Sequence, residues 1–399
     1  MRLDETVVPQ ASSSRLIHLD MVRGLAALAV VAGHLRGFLF VDYGALEQPG
    51  LAHNALYFLT GFGHQAVIVF FALSGYLVGG KALKDMLSGG WSGSRYMVAR
   101  LSRLWTVAIP ALGLTLILDV AGRALGAGAG YDGTYWDLLS SGPTLREPAD
   151  NSFATFLANV FFLQTIVAPA YGTNGPLWSL AYEFWYYALF PLAASAIFTS
   201  QAAWQRLSAI VAAAAMACLL PQHLLLLGAI WVAGAIANHL TTLASARRLF
   251  RSTTYLCATA LSAAVCSGVL RLHTGTVAHD LLLGGVWALF LPALVALPPW
   301  GEVYARVATL LSEMSYTLYA THFPLLSFLW FTALAPTQFA PGLFSIALGL
   351  ALLSLTLLYA GVIWWCFERH TGKVRSKILA MLEGPMSSVF TTKALVKHR

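Results

Sequence analysis

Charge is scarce in this chain. Asp, Glu, Lys and Arg together make up 10% of its 399 residues, against about 25% in an average soluble protein. With 58% hydrophobic residues and a mean hydropathy of +0.69, the composition excludes an ordinary soluble domain and predicts a polytopic membrane protein. Cysteine is sparse too. Cys218, Cys257, Cys266 and Cys366 lie in apolar runs without metal-ligand or disulfide-framework spacing, so they read as small hydrophobes. There is no Gly-x-x-x-x-Gly-Lys-Ser/Thr loop, no Gly-x-Ser-x-Gly elbow, no His-Glu-x-x-His and no Asp-rich motif of the kind a metal needs to hold a diphosphate. No bound metal is expected. The first 20 residues lack an apolar core with a small-residue cleavage site, so no removable signal peptide is expected. A net charge of +7 would suggest nucleic acid in a soluble protein. Here membrane topology accounts for it better, and no nucleic-acid partner is expected.

What is present is a series of long apolar runs. Ten are long enough to span: 21–41, 55–80, 96–121, 176–198, 207–220, 223–240, 253–270, 280–297, 307–334 and 343–367. An eleventh, 153–168, is short. With ten spans and both termini cytoplasmic, 20 of the 24 basic residues fall on the cytoplasmic side, leaving Arg36, Arg123, Arg146 and Arg271 elsewhere. Making 153–168 a span would invert everything after it and move Arg247, Arg248 and Arg251 outside. The predicted fold is therefore all-α, with about ten transmembrane helices plus one short re-entrant or interfacial helix. The predicted organisation is a flexible cytoplasmic stretch 1–14, one transmembrane domain 15–372 and a cytoplasmic basic tail 373–399. The glycine-rich loop 122–152 faces outward and could form a lip over a site.

Arg23 and His34 are the most informative pair. Eleven residues of helix bring them within roughly 20° of the same face and about 16 Å apart along the axis. An Arg at one surface puts the His near the midplane of a hydrocarbon layer about 30 Å thick. A titratable group at that depth is a functional-site hypothesis by default. Gly33 beside it lets a helix or ligand approach, and an imidazole can serve as general base toward a hydroxyl. The ordinary alternative is a His hydrogen-bonded to a neighbouring helix. Arg100 and Arg103 are neighbours on one helix face and suit phosphate oxygens, although interfacial arginines also snorkel to anionic lipid. Glu183 is an intramembrane carboxylate that needs a partner. Trp178 near it could stack on a sugar or belong to an aromatic belt. His322, before Pro324, is a second buried histidine. Ser74 and Tyr76 more often pack helices than react.

These residues occur in segments that together resemble the acyltransferase 3 family of integral membrane acyltransferases, which includes O-antigen and exopolysaccharide O-acetylases. The segments are Leu19-Asp-Met-Val-Arg through Gly33-His34, Phe70-Phe-Ala-Leu-Ser-Gly-Tyr76, Arg100-x-x-Arg103, Trp178-Ser-Leu-Ala-Tyr-Glu183 and Ser315-Tyr-Thr-Leu-Tyr-Ala-Thr-His322. They run in family order across about residues 15–370. The resemblance implies an O-acyltransferase of the bacterial inner membrane, moving an acyl group, most simply acetyl, from cytoplasmic acyl-CoA to a hydroxyl of a carbohydrate or lipid-linked glycan. CoA is then a co-substrate, with no tightly bound cofactor and with membrane lipids as surroundings. It implies His34 as a catalytic residue and Arg23, Arg100 and Arg103 as donor-binding residues. Beside it, Glu183 and His322 are expected to join His34 in catalysis by orienting the acceptor or the His34 tautomer, and Trp178, Tyr76 and Ser315 to bind substrate. The sequence departs from the family in two places. No extracytoplasmic hydrolase-like domain follows the last span, and Phe367-Glu-Arg-His370 lacks the expected Glu-basic-Pro ending, which leaves Glu368 without a role. A proton-coupled transporter or lipid flippase is the alternative of a different class; it shares the buried His and Glu but needs no phosphate-directed arginines.

Overall fold

The computed structural model describes residues 16–199, 202–272 and 275–383. The flexible segment expected at 1–14, and the tail after 383, lie outside the described residues. Each of the ten predicted spans is helical: α1 (Ile17–Leu39), the pair α2 (Leu51–Leu59) and α3 (Gly63–Ser74) continued by α4 (Gly80–Leu87), and α5 (Gly93–Ala124). The short α6 (Phe153–Val160) follows, then α7 (Trp178–Phe198), α8 (Ala203–Leu219), α9 (Gln222–Leu240), α10 (Thr253–Arg271), α11 (Val277–Ala296), α12 (Glu302–Ala333), α13 (Leu343–Cys366) and α14 (Thr371–Glu383). No strand occurs among the described residues. Seven stretches are long and apolar enough to cross a membrane on length and composition alone. Helices α7 and α12 miss that threshold because of their Tyr, Ser, Thr and His content, and α8 because it has 17 residues.

Helix α1 packs most extensively on α12, and α5, α3 and α13 complete the bundle around that pair. Helix α8 buries none of its residues and α10 only Ala263 and Leu270. Apolar helices left this bare are lipid-facing, because hydrocarbon is as good a solvent for Leu207 and Ile210 as a protein core. Small residues permit the close crossing of α3 with α9. A Cβ on Gly75 would lie 1.8 Å from the Trp231 carbonyl oxygen, and one on Gly234 2.2 Å from that of Ala72, so only hydrogen fits at either position. Beyond Ser74 the helix widens into a π-turn over Gly75–Gly79, a feature that recurs at functional sites.

The segment predicted to be a short re-entrant or interfacial helix is helical over only part of its length. Helix α6 has eight residues, about 12 Å, and Phe162 and Thr165 adopt φ of 59° and 63°, which ends it well short of a span. The chain then dives into the bundle: Thr173 and Asn174 are 0% exposed. Asp119 of α5 accepts hydrogen bonds from the Thr173 N–H at 2.9 Å and hydroxyl at 2.7 Å and from Asn151 at 3.0 Å, tying the loop to the bundle. The reason Asn174 sits where it does lies in α12. Pro324 has no N–H, so the Ala320 carbonyl four residues earlier has no helical donor. Asn174 Nδ2 supplies one at 2.9 Å; an unsatisfied buried carbonyl would cost about 1–3 kcal/mol. Helix α7 therefore starts beside the middle of α12. The loop 122–152 contributes Tyr131 and Leu139 to a cluster with Phe38, Phe323 and Trp330, covering the end of the bundle away from Arg23, as a lip would.

Helix α14 runs through the domain boundary expected at residue 372. It folds back along α5, with Thr371 Oγ1 2.8 Å from Thr106 Oγ1, so part of the expected tail belongs to the packed bundle.

Candidate functional site

The three arginines converge. Arg23, Arg100 and Arg103 line a single cavity of about 450 Å³ between α1, α3, α5, α7 and α12, with Ser74, Glu183 and Ser315 in the same wall. The arginines are held differently. Arg23 donates to Asp20 at 2.9 Å and to the Ser312 hydroxyl. Arg103 lies 3.8 Å from Glu368, whose other oxygen accepts from the Thr317 backbone N–H at 3.1 Å and hydroxyl at 2.6 Å. Glu368 is only 7% exposed, so it orients Arg103 from behind. This is the role the sequence did not supply for Glu368. Arg100 has no carboxylate partner among the described residues; its guanidinium lies 5.9 Å from the Tyr96 ring centre and 6.0 Å from that of Tyr187.

Several polar atoms along this wall are buried without a hydrogen-bond partner: Arg23 Nε, Arg100 Nε and the hydroxyl of Tyr316. Buried polar groups are paired in the great majority of cases. A concentration of unpaired donors on one concave, cationic surface is what an anionic ligand with further acceptors would complete.

His34 and His322 form the second part of the site. His34 Nδ1 is 2.8 Å from His322 Nε2, with rings stacked at 5.1 Å and inclined 19°. The proton positions follow from the acceptors around them. His322 Nδ1 faces two backbone carbonyls, Tyr319 at 2.8 Å and Leu318 at 3.0 Å, so in the neutral ring it carries the hydrogen. Nε2 of His322 then has the lone pair and accepts from His34 Nδ1–H. That leaves His34 Nε2 as a free lone pair, and it makes no hydrogen bond among the described residues. His322 is 0% exposed, whereas His34 is half-buried. Phe323 closes one flank at 4.9 Å, edge to face. Gly33 does what its missing side chain suggested: a Cβ there would lie 3.3 Å from the Thr60 carbonyl oxygen.

Tyr319 connects the two parts. Its ring lines the arginine cavity while its carbonyl holds His322, one turn further along α12. Its hydroxyl donates to the Pro176 carbonyl at 2.9 Å and lies 2.6 Å from Ser179 Oγ, at the start of α7.

The remaining predicted residues fall in other places. Glu183 touches neither histidine. It accepts hydrogen bonds from Ser74 at 2.7 Å and from the Tyr187 hydroxyl, and Trp231 Nε1 donates to the same Ser74 at 3.0 Å. It is a carboxyl group in the arginine wall, held there by Ser74 of α3 and by Tyr187 one turn along α7. Ser315 lines the cavity with its hydroxyl turned back to the Ser312 carbonyl at 2.7 Å. Tyr76 is 1% exposed and away from the cavity wall. Trp178 likewise packs outside it, edge-on to Tyr182 at 5.1 Å and Phe71 at 6.2 Å. Arg375 of α14 is a wall residue the sequence reading left in the tail; nothing local to its sequence signals that α14 folds back.

The sequence model of an acyltransferase domain family, acyltransferase 3, matches residues 16–367. The chain belongs to the acyltransferase 3 family. The matched span contains both histidines and all three predicted arginines, and stops one residue before Glu368. The chain is also similar to acyltransferase MdmB of Streptomyces mycarofaciens, with 35% identity over 179 residues. That alignment covers 45% of this chain and 39% of MdmB, less than half of either protein. No solved structure matches the chain. Family membership together with the apolar helices makes this an integral membrane protein of the acyltransferase 3 family.

Proposed function

We propose that this acyltransferase takes an acyl group, most simply acetyl, from acyl-CoA at the cytoplasmic face and delivers it to a hydroxyl of a carbohydrate or lipid-linked glycan. The observation that carries the reading is the arginine-lined cavity whose inner wall, Tyr319, also anchors the histidine pair. Arg23, Arg100 and Arg103 contact the donor's phosphates, with Arg100 the cation most available for a bidentate contact. The pantetheine arm runs inward toward Tyr319 and Ser179, over a length comparable to the rise of about 16 Å between Arg23 and His34.

His34 Nε2 accepts the proton of the acceptor hydroxyl as that oxygen attacks the thioester carbonyl. His322 holds the His34 tautomer and stabilises the imidazolium that forms, in the sense that the Asp of a Ser-His-Asp triad does. As the tetrahedral intermediate collapses, the carbon–sulfur bond breaks and the proton passes from His34 to the departing thiolate, giving CoA and the ester. Glu183 offsets the repulsion among three nearby cations while no donor is bound, and Ser315 contributes wall rather than chemistry. The basic asymmetry of the sequence supports a cytoplasmic donor side, and the loop 122–152 then covers the acceptor side.

The test is transfer of labelled acetyl from acetyl-CoA by the purified full chain to the glycan and lipid fraction of its own membranes, compared with His34→Ala. The expected loss is at least ~100-fold with normal insertion and thermal stability. A well-folded His34→Ala protein that transfers acetyl at close to the original rate refutes the assignment.

A further inference from the structure

A second cavity, of about 320 Å³, adjoins the arginine cavity and shares Arg100 and Arg375 with it. Its chemistry differs. Trp91 and Tyr96 stand side by side in its wall, ring centres 5.1 Å apart and planes inclined by 47°. Lys81 and Arg95 also line it. The one acid among its described lining residues, Asp85, is engaged by Lys81 at 2.8 Å. The Tyr96 hydroxyl and Arg100 Nε are buried and unpartnered there. A lipid tail would leave those donors unsatisfied, and a neutral sugar would leave the charge of Arg100 unanswered. A flat heterocycle bearing phosphates meets both requirements, because aromatic rings stack a base and guanidinium groups take its phosphates.

The order of residues along α5 gives the orientation. Tyr96, Arg100 and Arg103 follow at i, i+4 and i+7 on one face, over about 10 Å. The face presents a ring, then a cation shared by both cavities, then a cation beside the histidine-linked cavity. We propose that the second cavity is the nucleotide subsite of the donor. In it the adenine lies against Trp91 and Tyr96, the diphosphate lies toward Arg100 and Arg375, and the ribose phosphate lies toward Lys81 and Arg95. This rests on the acyl-CoA reading above and adds which end of the donor each cavity holds.

The test is binding of two probes, coenzyme A and 4′-phosphopantetheine, to the full chain in detergent by calorimetry. The second probe lacks the nucleotide but keeps the arm and one phosphate. The original protein should bind coenzyme A at least about tenfold more tightly. Trp91→Ala should weaken coenzyme A by roughly tenfold, within the range that base stacking supports, and should weaken 4′-phosphopantetheine far less, whereas Trp91→Phe should retain most of the difference. Photolabelling of the unmodified chain with 8-azido-coenzyme A needs no variant to fold, and attachment between residues 91 and 100 is expected. Equal binding of both probes, an equal loss on both in Trp91→Ala, or label attached elsewhere overturns the subsite and leaves the donor reading intact. Failure to bind either probe removes the acyl-CoA reading and the subsite with it.

Discussion

Replacing His322 by Gln separates two roles that deletion would confuse. In the structure His322 does two things at once: it donates from Nδ1 to the Tyr319 carbonyl at 2.8 Å and accepts at Nε2 from His34 at 2.8 Å. His322→Ala removes the acceptor and leaves a buried N–H on His34 unpaired, at a cost of about 1–3 kcal/mol. The ring is then free to relocate its proton to Nε2, the tautomer that is no longer a base. A rate loss of roughly five- to 150-fold follows. A glutamine offers an amide oxygen toward His34 and an amide N–H toward Tyr319, so it reproduces both contacts without an ionisable group. His322→Gln should therefore recover to within about tenfold of the original rate, with the acetyl-CoA KM unchanged because His322 is outside the cavity wall. The assay is labelled acetyl transfer at saturating donor for both variants and for His34→Ala combined with each. Since the two rings act as a unit, the double variants should be no slower than His34→Ala alone. If His322→Gln is as inactive as His34→Ala, His322 exchanges the proton itself and the orienting role is wrong. If His322→Ala is fully active, the ring pair has no part in the chemistry.

Three further outcomes are expected. Arg100→Ala should raise the donor KM by roughly ten- to a hundredfold, the value of one charge-assisted contact of about 1.5–3 kcal/mol, with Arg100→Lys a partial rescue; a fall in kcat alone would place Arg100 away from the phosphates. Glu368→Ala should both lower stability in thermal unfolding by about 1–3 kcal/mol, since it leaves the buried Thr317 N–H and hydroxyl without their acceptor, and raise the donor KM through a displaced Arg103. An unchanged KM would show that Arg103 does not depend on Glu368. Single cysteines at Ser88 and Ser245 should be protected from an impermeant reagent in sealed cells while one at Ser141 is labelled, and labelling of Ser245 from outside would reverse the proposed orientation.

Much of the fold was legible because hydrocarbon imposes a simple rule. A chain that crosses it must pair its backbone internally, so long apolar runs become helices whatever their neighbours. Arg23 and His34 were legible for a related reason: both lie on one uninterrupted helix, where residue spacing fixes depth and face. That 153–168 forms only a short helix could be anticipated, because the run is brief and a span there would misplace the later basic residues. Everything that depends on which helix meets which was decided by tertiary packing. Glu183 and His34 are both intramembrane titratable groups, and only the packing of α7 against α3, where Ser74 donates to Glu183, assigns Glu183 to the arginine wall. Glu368, Tyr319 and Arg375 carried no local signal: Glu368 meets Thr317 across 51 residues and the Tyr319 hydroxyl meets the Pro176 carbonyl across 143, while Arg375 reaches the cavity only because α14 folds back. The tautomer of His34 is the clearest case. Sequence supplied two imidazoles of undefined protonation, and two carbonyls of the turn preceding His322 decided which nitrogen of His34 keeps a free lone pair.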